Sequence, residues 1–250
     1  MTTLPPRKSV IIAGGTRGIG AAVARRLAES GADLVLGYVH DDGAAEELVR
    51  ETEKSTSARA VAVRGDISRP EAVDALFAAA EKAYGGVDVV VGCAGAHARV
   101  RGPLADMADE GIRRVVDVNL VGACHLLRAA ARDVRPGGRV ITFSSSAAAL
   151  GVPGQALYNA SKTAVEVLTR QLAKELAGSG ITVNAVAPGP TGTELFLRGR
   201  TAEDVEALAR QVPLGRIGRP EDIADVVAFL VGPSGGWING QVVRANGGIV

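Results

Sequence analysis

The chain has 250 residues, with 28 Lys and Arg against 27 Asp and Glu, a net charge of +1 and no basic block, so it lacks the electrostatic footprint of a nucleic-acid-binding protein. No apolar run reaches the ~18 residues of a membrane span, and Met1 to Lys8 has no signal-peptide core, which points to a protein of the cytosol. A chain this long buries about 70–75% of its unfolded surface as one domain. Its two cysteines, Cys93 and Cys124, are expected as reduced packing residues rather than a disulfide or a metal site.

The first predicted strand is Val10–Ala13. It runs into Gly14-Gly15-Thr16-Arg17-Gly18-Ile19-Gly20 and then into an amphipathic stretch from Ala22 to Ala28. Strand, glycine turn and helix in that order make a phosphate cradle: glycines bring the backbone close to a pyrophosphate, and the helix N-terminus offers unpaired N–H groups and partial positive charge. Three residues separate Gly14 from Gly18, a longer spacing than G-x-G-x-x-G. Further strands are predicted at Asp33–Val39, Ala60–Arg64, Val87–Gly92, Val140–Phe143, Thr182–Ala187 and Gln241–Arg244, with helical patterns between them. Seven apolar, β-branched runs alternating with helices predict a doubly wound α/β Rossmann fold, its seven-stranded parallel sheet covered on both faces. The irregular stretch Pro190 to Pro220, broken by a helical pattern at Ala202–Gln211, reads equally as a surface excursion or as a lid after a strand's carboxyl end.

Tyr158 and Lys162 stand four residues apart, which puts a phenol and an ammonium on one helix face. A fixed positive charge stabilises the phenolate and makes its proton available to catalysis, although a surface pair has the same spacing. Ser145 lies thirteen positions before Tyr158, just past the strand ending at Phe143, where a parallel strand delivers it to the sheet's carboxyl edge. Lys is rare in this chain while Arg is abundant, so Lys162 departs from the chain's own habit.

These segments together resemble the short-chain dehydrogenase/reductase family, in its compact single-domain branch, over essentially the whole chain. The glycine segment is similar to the family's T-G-x-x-x-G-x-G, Cys93-Ala94-Gly95 to the end of its N-N-A-G, and Ser145, Tyr158 and Lys162 to its S…Y-x-x-x-K; Asn119 stands in Val118-Asn119-Leu120 and Asn184 to Gly189 resembles the segment beside the nicotinamide. The resemblance implies hydride transfer between a nicotinamide coenzyme and a ketone or secondary alcohol. Tyr158 would donate the proton and Ser145 would hold the carbonyl oxygen. Lys162 would hold ribose hydroxyls and lower the Tyr158 pKa, and Asn119 would hold a water in a proton relay. It further implies coenzyme contacts from Gly14, Thr16, Arg17, Gly18, Ile19, Gly20, Tyr38, His40, Asp66, Ile67, Cys93, Ala94, Gly95, Pro188, Gly189, Thr191 and Thr193. Asp66 would meet the adenine, although the bare sequence offers it as a helix cap over Ser68–Glu71. Ala13 and Gly92-Cys93 depart from the family's Thr and Asn pair, and the losses can compensate, because no single polar group is orphaned.

Coenzyme choice follows from charge. The second strand ends near Tyr38 rather than at the acid that an NAD enzyme uses for its ribose, and Arg17 is a phosphate-pairing cation in the glycine turn, so NADP(H) is favoured; Asp41 and Asp42 keep NAD(H) open. The pocket implied is small and apolar, lined by Ala96, His97, Ala147, Leu150, Val152, Leu157, Pro190, Leu195 and Phe196, which suits a hydrophobic or cyclic, polyketide-type ketone. His97 is the one titratable group there, and an uninvolved loop histidine is its favoured description. A 3-oxoacyl-carrier-protein reductase would need cations where Pro136 and Ser179 stand; Arg135 adjoins the first only. The motifs also admit an NAD-dependent alcohol or sugar dehydrogenase and, as the least favoured reading, a non-catalytic NADP(H) sensor. A homotetramer, with a dimer as runner-up, is expected from the C-terminal edge strand and from an apolar stripe at Val165, Leu168, Leu172 and Leu176.

Overall fold

A computed structural model describes residues 7–97 and 102–250; the part of the N-terminal expectation that rests on residues 1–6 lies outside them. The strands are β1 (Ser9–Ala13), β2 (Asp33–Tyr38), β3 (Ala60–Arg64), β4 (Val87–Gly92), β5 (Val134–Phe143), β6 (Thr182–Pro188) and β7 (Val242–Ala245). They form one sheet in the order β3-β2-β1-β4-β5-β6-β7, every pair parallel. The helices are α1 (Gly18–Glu29), α2 (Asp42–Ser55), α3 (Pro70–Tyr84), α4 (Asp109–Val116), α5 (Gly122–Asp133), α6 (Ser146–Leu150), α7 (Ala156–Glu175), α8 (Glu194–Leu197), α9 (Ala202–Gln211) and α10 (Pro220–Val231). One π-helical turn, Asp117–Val121, joins α4 to α5.

Alternation along the strands sorts the core into two layers. Val10 and Ile12 of β1, Leu34 and Leu36 of β2, and Val89 and Val91 of β4 face α1 and α10. Ile11 and Ala13, Val35 and Val90 face the other way, onto Leu76 and Phe77 of α3 and Leu126 and Leu127 of α5. Because both faces are covered, the central strands read as unbroken apolar runs.

Two expectations change. β5 begins at Val134, six residues before the predicted start: Val134 pairs with Val87, and the register then shifts so that Arg139 meets Val89. Pro136-Gly137-Gly138 carries no strand signal, and only the pairing reveals it. The α7 stripe serves this chain's own core instead of extending past it. Val165 and Leu172 are buried and Leu168 and Leu176 pack on the sheet, whereas Val167 is the exposed apolar residue of that helix.

The outer edge of the sheet is pinned by two asparagine side chains, one of which is Asn239, accepting from the Val183 N–H at 2.9 Å. Asn184, fully buried on β6, accepts from the Gln241 N–H at 3.0 Å and donates to the Ile238 carbonyl at 2.7 Å, which is why Gln241 lies outside the strand predicted to contain it. Asn184→Ala removes both bonds and should cost about 1–3 kcal/mol at ~0.5–1.5 kcal/mol each. Urea unfolding measures it, and a loss below about 0.5 kcal/mol would contradict the pinning role.

Candidate active site

The turn after β1 is closed so tightly that side chains do not fit. Gly14 has φ +77°, and a Cβ on it would stand 2.7 Å from the Ala94 nitrogen; a Cβ on Gly20 would stand 2.0 Å from the Gly14 carbonyl oxygen. The Gly14 and Gly15 N–H groups donate to the Gly37 carbonyl at 2.9 Å each. Helix α1 begins with no side-chain cap and no acid in its first turn, so its N–H groups face outward beside Gly18, ready for an anion. A dinucleotide pyrophosphate fits this cradle.

Of the other residues expected to contact it, Thr193 reaches this turn, and the rest are held by their own elements. Thr193 caps α8 by accepting from the Phe196 N–H, and its methyl would lie 3.2 Å from a Cβ on Gly18. Thr191 is buried and donates to the Gly189 carbonyl at 2.9 Å. Gly189 follows Pro188, the last residue of β6, and a Cβ on it would strike Asn246 at 2.8 Å. Ile67 is buried under α5, where Gly122 makes room for it and His125 Nδ1 meets its carbonyl at 3.2 Å. Asp66 accepts from the Ser68 N–H at 2.9 Å, but α3 starts only at Pro70 with Arg69 at its cap position. The expected cap is thus a turn ahead of the helix, since Pro70 suits the first helical position.

At the end of β2, Tyr38 donates to Asp42 at 2.9 Å, Arg64 pairs with the same carboxylate at 3.4 Å, and Asp41 caps α2 in a left-handed conformation at φ 74°. Both acids are therefore engaged by the protein itself. His40 is exposed. Arg17 is half-exposed and 3.5 Å from Glu194, a carboxylate it shares with Arg198.

Lys162 is 5% exposed and its Nζ donates to the Phe143 carbonyl at 2.9 Å, at the end of β5. It lies 5.8 Å from the centroid of the Tyr158 ring. Burial lowers its pKa to about 8, against a smaller opposing effect of Cys93. The Cys93 thiol, reduced like Cys124, is pushed up to about 12 by burial. Gly95, between Ala94 and Ala96, borders both groups: a Cβ on it would stand 3.5 Å from Lys162 Nζ and 3.7 Å from Asn119 Oδ1, in ordinary contact. Asn119, buried in the π-helical turn, accepts from the Ala96 N–H at 2.7 Å and donates to the Ala96 carbonyl at 2.9 Å and to Ser161 at 3.1 Å. These bonds brace the loop after β4, a role the sequence does not reveal.

Three consecutive serines leave β5. Ser144 and Ser146 are buried; Ser144 donates to Glu166 at 2.6 Å, and Ser146 to the Ala187 carbonyl at 3.3 Å. Ser145 is part-exposed and accepts from the Ala147 N–H at 3.2 Å, which leaves its own proton to donate.

A shallow cleft opens beside Tyr158, lined by His97, Leu157, Met107, Val115, Gly154 and Gln155. Of the expected pocket residues it gathers His97 and Leu157. Leu150 and Leu195 are exposed, Ala96 is buried, and Ala147, Val152, Pro190 and Phe196 lie outside its lining. Gln155 escapes the sequence reading, although it precedes Tyr158 by three residues and so shares its side of the chain; Met107 and Val115 arrive through tertiary packing. His97 is no bystander: its ring stacks on that of Tyr158 at 3.9 Å and 23°. Arg135, the one cation near the carrier-protein positions, is bound to Asp88 and the Gly85 carbonyl. No group of three or more His, Cys, Asp or Glu among the described residues is placed to hold a metal ion, and no helix there is long and apolar enough to cross a membrane.

The family profile described as enoyl-(acyl carrier protein) reductase matches residues 13–250. A short-chain type dehydrogenase/reductase of Picea abies is 42% identical over 96% of this chain and 91% of its own. An NADPH-dependent aldehyde reductase-like protein, chloroplastic, of Arabidopsis thaliana is 40% identical over 96% and 93%. The crystal structure of a blue fluorescent protein from a metagenomic library, in complex with NADPH, superposes with a TM-score of 0.90 at 36% identity, covering 97% of this chain and 98% of that one.

The buried ammonium has a measurable consequence. Its pKa falls from 10.5 to about 8 on folding, so between those values the unfolded chain binds more protons and stability rises with pH. Relative to Lys162→Met, the wild type should gain about 2–4 kcal/mol between pH ~7.5 and ~10.5, at ~1.4 kcal/mol per pKa unit. Parallel pH–stability curves in urea would show that Lys162 is not buried as a charge.

Proposed function

Since the chain belongs to the short-chain dehydrogenase/reductase family, oxidoreductases acting on carbonyl and alcohol groups, we propose that it is an NADPH-dependent ketoreductase whose substrate is a compact hydrophobic or cyclic ketone of polyketide type. The observation that carries this reading is the buried, hydrogen-bonded Lys162 beside the Tyr158 ring. The coenzyme, when bound, supplies the hydride. Gly14, Gly18, Gly20 and the α1 N-terminus would hold its pyrophosphate, with Asp66 and Ile67 at the adenine. Tyr158 would give its proton to the carbonyl oxygen, and Lys162 would favour the departing phenolate. Ser145 would donate to that oxygen as negative charge grows on it. Asn119 would hold the loop in place and contribute to the relay of protons to Lys162.

Arg17 supports the coenzyme assignment, because a 2′-phosphate offers it a doubly charged partner in place of the exposed Glu194 carboxylate. The engagement of Asp41 and Asp42 weighs against ribose binding by either acid. The 40% identical Arabidopsis relative favours an aldehyde as the second reading. We place the whole chain in one domain, in the cytosol, and propose a homotetramer: β7 is an edge strand, and Trp237 and Phe229 near it are 98% and 49% exposed.

The test is oxidation of NADPH and NADH against cyclic ketones and aldehydes, by wild type and Arg17→Ala. NADPH with cyclic ketones should give the highest kcat/KM. Arg17→Ala should weaken NADPH binding by about 1.5–3 kcal/mol, the range for hydrogen bonds to charged groups, and NADH binding by far less. Equal losses for both coenzymes would overturn the phosphate-reading role, and activity on aldehydes alone would replace the ketone by the second reading.

A further inference from the structure

The imidazole of His97 is the feature of the site that proton donation and coenzyme binding leave unused. It lies flat against the Tyr158 ring, 3.9 Å between centroids, so it covers one face of the phenol. The preceding residue is held, since Asn119 accepts from the Ala96 N–H and donates to the Ala96 carbonyl. A carbonyl brought to the phenol through the cleft that both rings line meets this imidazole.

The chemistry of the cleft wall narrows what that substrate carries. Among the described residues that line it, Met107, Val115 and Leu157 are apolar, and apart from Tyr158 itself the side chains able to form hydrogen bonds are those of His97 and Gln155. Gln155 sits at the N-cap position of α7 without capping it, so its amide is not committed to the helix end. An imidazole and an amide beside a proton-donating phenol, among otherwise apolar described side chains, fit a ligand with two oxygens: one at the reacting carbon and one a few bonds away. A plain ketone engages the phenol alone, and a site built to hydrogen-bond a substrate group discriminates against an analogue that lacks it.

Resting on the ketoreductase reading, we propose that His97 and Gln155 are specificity-determining residues that bind a second oxygen function of the substrate, so that the preferred class is dicarbonyl or hydroxy-substituted cyclic ketones. His97 additionally holds the phenol ring by stacking.

A matched pair tests this: 2,2-dimethylcyclohexane-1,3-dione and 2,2-dimethylcyclohexanone, the same ring with and without the second oxygen, each with NADPH. Every variant is compared with wild type on the same ketone, so intrinsic reactivity cancels. His97→Phe preserves an aromatic stack and removes the hydrogen bond; it should lower the kcat/KM ratio of dione to monoketone about tenfold. Gln155→Leu should lower the same ratio by a similar factor, while His97→Gln, which keeps a donor and an acceptor, should retain most of it. Equal losses on the two ketones in His97→Phe would leave His97 a positioning residue for Tyr158 only, and an unchanged ratio in both His97→Phe and Gln155→Leu would remove both from substrate recognition; either outcome overturns the proposal. A wild type that reduces neither ketone but does reduce aldehydes overturns the ketone reading itself, and this inference with it.

Discussion

A buried ammonium is the constraint around which this site is organised. Lys162 is 5% exposed, and a charge out of water is costly unless it is hydrogen-bonded. The Phe143 carbonyl supplies that bond, and it is available because β5 ends there, leaving a main-chain acceptor at the sheet's carboxyl edge. The lysine therefore ties α7 to β5 at the place where Ser145 leaves the strand. Replacing the ammonium by a neutral group would remove the folding cost and, with it, the electrostatic reason for Tyr158 to release a proton.

The other elements keep that edge open and aligned. β1 and β4 lie side by side, so the glycine turn after one meets the Cys93–Gly95 segment after the other, and their approach is close enough that Gly14 and Ala94 touch. Asn119 then fixes Ala96 from the π-helical turn, an irregularity of the kind that places functional residues inside helices. Fold and candidate site are in this sense one arrangement: the carboxyl ends of β1, β4 and β5 contribute the glycine turn, the loop braced by Asn119 and the Phe143 carbonyl, and the two apolar layers hold those strands together.

Much of this is legible in the chain. Apolar alternation with glycine punctuation locates all seven strands, because strands buried on both faces must be apolar throughout, and the periodicity of Ala202–Gln211 gives that helix to the residue. The order Ser145, Tyr158, Lys162 is readable since two of the three share one helix. What escapes depends on contacts between distant segments. The start of β5 is set by pairing with Val87 across Pro136 and glycines; the stack of His97 on Tyr158 joins residues sixty-one positions apart; Asn119 reaches Ala96 by its side chain, where a held water is the expectation. The serine triplet is ambiguous until burial commits Ser144 and Ser146 to Glu166 and Ala187. The α7 stripe misleads because a long helix in this fold packs on its own sheet for more of its length than its sequence suggests.

The proposed catalysis turns on Tyr158 giving up its proton beside Lys162. The most direct measurement is the turnover of Tyr158→Phe, which keeps the ring that stacks on His97 and removes only the hydroxyl, together with its dissociation constant for NADPH. A kcat lowered by about 10²–10⁴-fold with coenzyme affinity nearly unchanged is the predicted result; a variant that keeps more than half of the wild-type kcat on the same ketone would contradict it.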